Sequence, residues 1–142
     1  LHVGQDDLPP AAARDLLGSQ AVIGLSTHSA AQLQLAPYSH LTYVALGPIF
    51  STSSKANPDP VVGVSQLAAW RKHAPCPLVA IGGLSLENAA AVQRAGADFL
   101  ALISALWRPP YTLVGFGNEI ETWLKTLADS KEASDSSTPP QS

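Results

Sequence analysis

Residues 78–85 read LVAIGGLS, in which the continuously apolar run of residues 78–81 is followed by two glycines, a leucine and a serine. So short an apolar run, with no alternating polar residues, is typical of a parallel strand that is buried on both faces. Similar apolar runs occur at residues 21–25, 43–46 and 99–103. Segments of helix-forming composition separate these runs and lie at residues 9–17, 29–35, 65–72 and 85–95. This order predicts repeated β-α units and therefore a parallel sheet.

The two ends of the chain differ from this middle region. Residues 1–4, LHVG, resemble the end of a strand, and the chain contains no methionine, so we expect further strands to precede Leu1. Residues 117–127 predict a final amphipathic helix. Residues 128–142 contain no large apolar residue, and burial therefore cannot offset the entropy of ordering them. The sequence predicts a folded part over residues 1–127 and a disordered tail over residues 128–142.

Composition excludes several classes of partner. With 46% hydrophobic and 13% charged residues, the 142-residue chain has enough apolar material for the core of a globular domain. Its net charge of −3 offers no basic face for nucleic acid or an anionic membrane. No apolar run approaches the roughly 20 residues that span a bilayer. The single cysteine, Cys76, has no partner for a disulfide within the chain, which suits a reducing cytoplasm.

Polar and glycine residues gather where the predicted strands end, at residues 4–7, 26–28, 47–55, 82–83 and 104. An open doubly wound sheet usually carries a glycine-rich G-x-G-x-x-G turn after its first strand, and this sequence contains none. In a (β/α)₈ barrel the active-site groups follow the carboxyl ends of the strands. The pattern therefore favours an α/β fold of the TIM-barrel type with one functional face.

Two neighbouring strands end in small residues that suit a phosphate. Gly83 follows one strand and Ser104 follows the next, and the last two loops of such barrels often bind phosphate through backbone N–H groups. A glycine leaves room for phosphate oxygens to reach the amides. Alternatively, the two glycines only let the chain turn into the helix that Ser85 would cap.

The loop over residues 47–55 combines several hydroxyl groups with one ammonium group, that of Lys55. Such a set suits a phosphate or diphosphate, and the lysine would stabilise charge on a leaving group. A solvated loop rich in serine and proline is the alternative interpretation.

Asp6 and Asp7 follow the first strand and precede a helix. Adjacent carboxylates suit Mg²⁺, which takes one or two protein oxygens together with substrate phosphates, but an N-cap role is the alternative. Ser26 has no evident basic partner in the sequence, so a hydrogen-bonding role is expected rather than a nucleophilic one. His28 is expected at the start of a helix.

These residues, taken together, resemble the thiamine phosphate synthase family. The matching motifs occur in the family's order and spacing: HVGQDDLP at 2–9, IGLSTH at 23–28, LGPIFSTSSK at 46–55, AIGGL at 80–84, AGAD at 95–98 and ISA at 103–105. The similarity covers residues 1 to about 106. It implies strands four to eight of a (β/α)₈ TIM barrel, and hence an incomplete barrel.

The resemblance implies a reaction and a site. The family condenses 4-amino-2-methyl-5-hydroxymethylpyrimidine diphosphate with a thiazole phosphate to give thiamine phosphate and pyrophosphate. It implies Asp7 as a Mg²⁺ ligand, and Ser26 and Lys55 as the catalytic contacts to the pyrimidine and its diphosphate. The residues implied to hold the thiazole phosphate are Thr52, Ser53, Ser54, Gly83, Ile103 and Ser104.

The sequence also departs from the family pattern. Ser51 replaces the usual proline and Ser54 a common threonine, while the Gln-x-Arg-x-Lys and Asn-Asp-Arg strands would lie upstream of Leu1. Two alternatives stay open: a related thiazole tautomerase, in which a histidine typically stands where this chain has Pro48, and a non-catalytic phosphate-binding remnant. Because an incomplete barrel exposes strand edges, a homo-oligomer is also expected.

Overall fold

The computed structural model describes residues 1–52, 59–107, 109 and 111–135. Its sheet has five parallel strands in the order of the sequence: β1 (His2–Val3), β2 (Gly24–Thr27), β3 (Tyr43–Leu46), β4 (Leu78–Ile81) and β5 (Phe99–Ala101). The helices are α1 (Pro10–Leu17), α2 (Ala30–Leu35), α3 (Val64–Trp70), α4 (Leu86–Arg94) and α5 (Leu113–Asp135), with short 3₁₀ turns at Tyr38–His40 and Arg71–His73. The predicted α/β fold with a parallel sheet is confirmed.

The two faces of the sheet are buried to different degrees. Along β4 the side chains alternate, so that Leu78 and Ala80 are fully buried while Val79 and Ile81 are only partly buried. The buried face packs into a core with residues of β3, the helices and the loops, among them Leu33, Val44, Leu46, Ile49, Leu67, Ala89 and Val92. The prediction of strands buried on both faces was therefore wrong for β4, because the second face borders a cavity.

The bounds of β2 and of the last helix differ most from the predicted ones. Ser26 was expected after its strand but lies inside β2, where the parallel ladder pairs it with Ala45. The last helix begins at Leu113 and ends at Asp135, so part of the segment predicted as a disordered tail is helical. A helix that has already formed extends without a new nucleation cost, and helix formers such as Ala128 and Ala133 favour extension. Residues 136–142 lie outside the described residues.

The predicted N-cap of α4 is confirmed. Ser85 is the N-cap of the helix and forms a capping box with Asn88, whose side-chain oxygen accepts the Ser85 N–H at 2.9 Å. Gly96 follows the helix with a φ of 103°.

Within the described part of the chain, α5 included, no helix combines the length and the apolar character that crossing a membrane requires.

Asp98 ties the start of β4 to the segment that enters β5. Its Oδ2 accepts the Leu78 N–H at 2.7 Å and a guanidinium N–H of Arg71 at 3.0 Å. Asp98→Ala is expected to lower the free energy of unfolding by about 1–3 kcal/mol, because the Leu78 N–H then loses its acceptor. Urea denaturation measures this cost. Asp98→Asn keeps an acceptor oxygen and should cost less, so equal destabilisation by the two variants would contradict the assignment.

Candidate functional site

A cavity of about 330 Å³ lies at the carboxyl ends of β2 to β5. Its lining is made of residues from these strand ends and from the loops that follow them: Ser26, His28, Gly47, Pro48, Thr52, Asp59, Ile81, Gly82, Gly83, Leu84, Ala101, Leu102, Ile103, Ser104 and Ala105. Parallel strands place their carboxyl ends at one edge of the sheet, so residues far apart in the sequence meet there. The gathering of polar residues behind the strands is therefore the sequence signature of this cavity.

The predicted site residues divide into three groups. The first group lines the cavity and consists of Ser26, Thr52, Gly83, Ile103 and Ser104. Asp7 forms the second group, because it lies in the loop after β1 and is not part of the cavity lining. The third group lies outside the described residues and consists of Ser53, Ser54 and Lys55.

The two glycines after β4 allow another loop to pack directly on their backbone. Gly82 and Gly83 have φ angles of 95° and 64°, which side chains rarely permit. The Phe50 N–H donates to the Gly82 carbonyl at 3.0 Å, and a Cβ on Gly83 would lie only 2.5 Å from the Ser51 carbonyl oxygen. The glycines therefore serve both the turn into α4 and the close approach of the loop that carries Thr52.

His28 lines the cavity although the sequence suggested only a place at a helix start. It does precede α2, and its N–H donates to the Gln32 side-chain oxygen at 2.6 Å. Its ring Nδ1 lies 2.5 Å from the Gly47 carbonyl oxygen, which can only accept, so Nδ1 carries a proton. The ring Nε2 lies 3.6 Å from Oδ2 of Asp59. The one signal in the sequence was that His28 follows β2 on the functional side of the sheet.

Ser26 has a basic partner that the sequence did not reveal. The His2 Nε2 and the Ser26 Oγ are 2.8 Å apart, and the other ring nitrogen of His2 lies 3.0 Å from the Tyr43 hydroxyl. Partial burial lowers the pKa of His2, and the nearby carboxylate of Asp7 opposes this shift. The imidazole is therefore mostly neutral at pH 7. The sequence did not reveal this imidazole partner of Ser26, because the two residues meet across adjacent strands.

Asp7 does not cap α1, whose N-cap position is Pro9 without a side-chain hydrogen bond. Instead its Oδ2 accepts the Gly4 N–H at 2.7 Å and closes the turn after β1. Among the described residues, no group of three or more His, Cys, Asp or Glu side chains could hold a metal ion. One exposed carboxylate still fits Mg²⁺, which keeps several waters and shares substrate phosphates.

Comparison with known proteins identifies relatives of this chain. The family model described as thiamine monophosphate synthase matches residues 1–106. A thiamine-phosphate synthase of Koribacter versatilis is 52% identical over 110 residues, which are 78% of this chain and 52% of that protein. One from Laribacter hongkongensis is 48% identical over 106 residues, 75% of this chain and 50% of that protein. The chain thus spans about half the length of the curated relatives it matches.

One solved structure has a fold similar to that of this chain. The thiamine phosphate pyrophosphorylase from Pyrococcus furiosus superposes with a TM-score of 0.70 at 25% identity. The match covers 89% of this chain and 59% of that one.

Proposed function

Because the chain belongs to the thiamine monophosphate synthase family, we propose that it carries part of the active site of a thiamine phosphate synthase. Its five strands correspond to strands four to eight of a (β/α)₈ barrel. The protein acts in the cytoplasm as a Mg²⁺-dependent transferase. Its substrates are a hydroxymethylpyrimidine diphosphate and a thiazole phosphate, and its products are thiamine phosphate and pyrophosphate.

The observation that supports this proposal best is the cavity at the ends of β4 and β5. Gly83 lines the cavity there without a side chain, and Ser104 adds a hydroxyl from the neighbouring loop. Backbone N–H groups and hydroxyls recognise phosphate without a strongly basic surface, which agrees with the net charge of −3. The thiazole phosphate therefore binds with its phosphate against these two loops, together with Thr52 and Ile103.

The chemistry asks for stabilisation of a leaving group rather than for a protein nucleophile. Diphosphate departs from the pyrimidine methylene carbon with the bonding electrons, and the resulting cation is captured by the thiazole nitrogen. Ser26, near the carboxyl end of β2, orients the pyrimidine substrate, and Lys55, outside the described residues, neutralises the departing diphosphate. Asp7 would hold a Mg²⁺ ion, which would supply further positive charge for the departing diphosphate.

The position of Pro48 argues against the tautomerase alternative. Pro48 lines the cavity where that family typically has a histidine. A pyrrolidine ring carries no group that could accept or release a proton, so Pro48 cannot replace that histidine in a proton-transfer step.

A binding measurement tests the phosphate site. Ser104→Ala should weaken binding of the thiazole phosphate about tenfold or more, because hydrogen bonds to charged groups contribute about 1.5–3 kcal/mol. Titration calorimetry measures the affinity, with Ser19→Ala as the matched control since Ser19 lies between α1 and β2, before the strand begins. Unchanged affinity in Ser104→Ala, or equal losses in both variants, would overturn the assignment.

A further inference from the structure

Three strands place a polar row on the face of the sheet that borders the cavity. The parallel register pairs His2 of β1 with Gly24 of β2, and Gly24 with Tyr43 of β3. Ser26 lies two residues beyond Gly24, and side chains at i and i+2 of a strand point to the same face. The register alone therefore brings the side chains of His2, Ser26 and Tyr43 together.

Gly24 makes this arrangement possible. A Cβ on Gly24 would lie 2.5 Å from the Tyr43 ring atom Cε2, far inside contact distance. The absence of a side chain lets the Tyr43 ring lie across β2 and stack on the His2 ring, with the ring centroids 5.6 Å apart and the planes at 23°. The tyrosine hydroxyl then reaches the His2 Nδ1 at 3.0 Å.

The chemistry of the three groups fixes the direction of the hydrogen bonds. A neutral imidazole has one donor nitrogen and one acceptor nitrogen. The phenolic hydroxyl is a stronger donor and a weaker acceptor than an aliphatic hydroxyl, because the aromatic ring withdraws electron density from its oxygen. The favoured arrangement therefore has Tyr43 donating to Nδ1 and Nε2–H donating to the Ser26 Oγ, each bond strengthening the other.

We propose that the Tyr43–His2 pair holds the Ser26 hydroxyl as a hydrogen-bond donor into the cavity. With its oxygen accepting from Nε2–H, Ser26 directs its own proton away from His2 and toward the cavity that it lines. The matching ligand group is an acceptor without a proton, either a ring nitrogen of the pyrimidine or a phosphate oxygen. His2 and Tyr43 are then positioning residues, and this use of Ser26 rests on the proposed function.

The tautomer of His2 is measurable without any ligand. Nitrogen-15 NMR of histidine-labelled protein reports which ring nitrogen carries the proton, and loss of one signal set in His2→Gln identifies His2 among the four histidines. We expect Nε2–H in the unsubstituted protein. Tyr43→Phe keeps the stacked ring and should shift the tautomer ratio toward Nδ1–H by about tenfold. A dominant Nδ1–H form in the unsubstituted protein would overturn the proposal.

Turnover distinguishes positioning from simple packing. His2→Phe keeps an aromatic ring for Tyr43 and removes the donor, whereas His2→Gln keeps an N–H near the Nε2 position. In active protein we expect kcat/KM for the pyrimidine diphosphate to fall about tenfold in His2→Phe and to recover in His2→Gln, with the KM for thiazole phosphate unchanged. Equal losses in both variants would overturn the positioning role.

Inhibition by two probes identifies the acceptor. If Ser26 donates to a ring nitrogen of the pyrimidine, His2→Phe weakens inhibition by the pyrimidine alcohol. If Ser26 donates to the diphosphate, His2→Phe weakens inhibition by inorganic pyrophosphate instead. Weakening of either supports the proposal, and weakening of neither overturns it. If protein containing this chain shows no turnover with intact substrates, the proposed function fails, while the tautomer measurement still decides the hydrogen-bond direction.

Discussion

Gly83→Ala is expected to remove measurable thiazole phosphate binding and to lower the free energy of unfolding by about 2–5 kcal/mol. The φ of 64° at Gly83 is strained for any residue with a side chain. The added Cβ would also lie 2.5 Å from the Ser51 carbonyl oxygen and 2.7 Å from the Phe50 Cβ. Because the contacted Ser51 carbonyl belongs to the backbone, it cannot shift alone, and the loop that carries Thr52 must move away from the cavity.

Gly18→Ala distinguishes the cost of backbone strain from the cost of a close contact with a neighbouring loop. Gly18 has a φ of 82°, yet a Cβ there would meet no atom within 4 Å, and the residue follows α1 rather than a strand. We expect it to cost only the strain, on the order of 1–2 kcal/mol, with phosphate binding kept. Chemical denaturation measures the loss of stability in both variants, and titration calorimetry measures their affinity for the thiazole phosphate. Normal phosphate affinity in Gly83→Ala would contradict the close packing of the two loops.

The fold was readable from the sequence because short apolar runs and helical segments alternate without exception between residues 9 and 103. β3 and β4 lie at the predicted residues, and the capping signal at Ser85 fixed the start of α4 to within one residue. The end of α5 was not readable. Helix propensity beyond Leu127 is modest in isolation, and only a preformed helix makes the extension favourable.

The candidate site was predictable where loops follow strands and unpredictable where residues meet across strands. Gly83 and Ser104 reach one cavity because both follow carboxyl ends of neighbouring strands. The contact between His2 and Ser26 depends on the exact register of β1 against β2, which periodicity cannot supply because apolar runs fit several registers. His28 was missed for a related reason, since its partner Gly47 follows a different strand.

Asp7→Asn is expected to slow turnover about 10²- to 10³-fold at low Mg²⁺, the loss that removal of one electrostatic contact to developing charge commonly causes. Asparagine retains a side-chain oxygen that can accept the Gly4 N–H, so the turn after β1 should persist and stability should change by less than about 1 kcal/mol. The substitution therefore removes the charge and keeps the shape.

The dependence of rate on Mg²⁺ concentration distinguishes a metal ligand from a residue that only stabilises the turn. If Asp7 holds the ion, Asp7→Asn needs more Mg²⁺ for half-maximal rate, and raising Mg²⁺ restores part of the loss. Asp6→Asn is the matched control, because it removes the neighbouring charge and should leave the Mg²⁺ requirement near that of the unsubstituted protein. Asp7→Ala loses both the charge and the Gly4 contact, so it should add a lower melting temperature to the kinetic defect. A normal Mg²⁺ response in Asp7→Asn would leave Asp7 as a purely structural residue of the turn after β1.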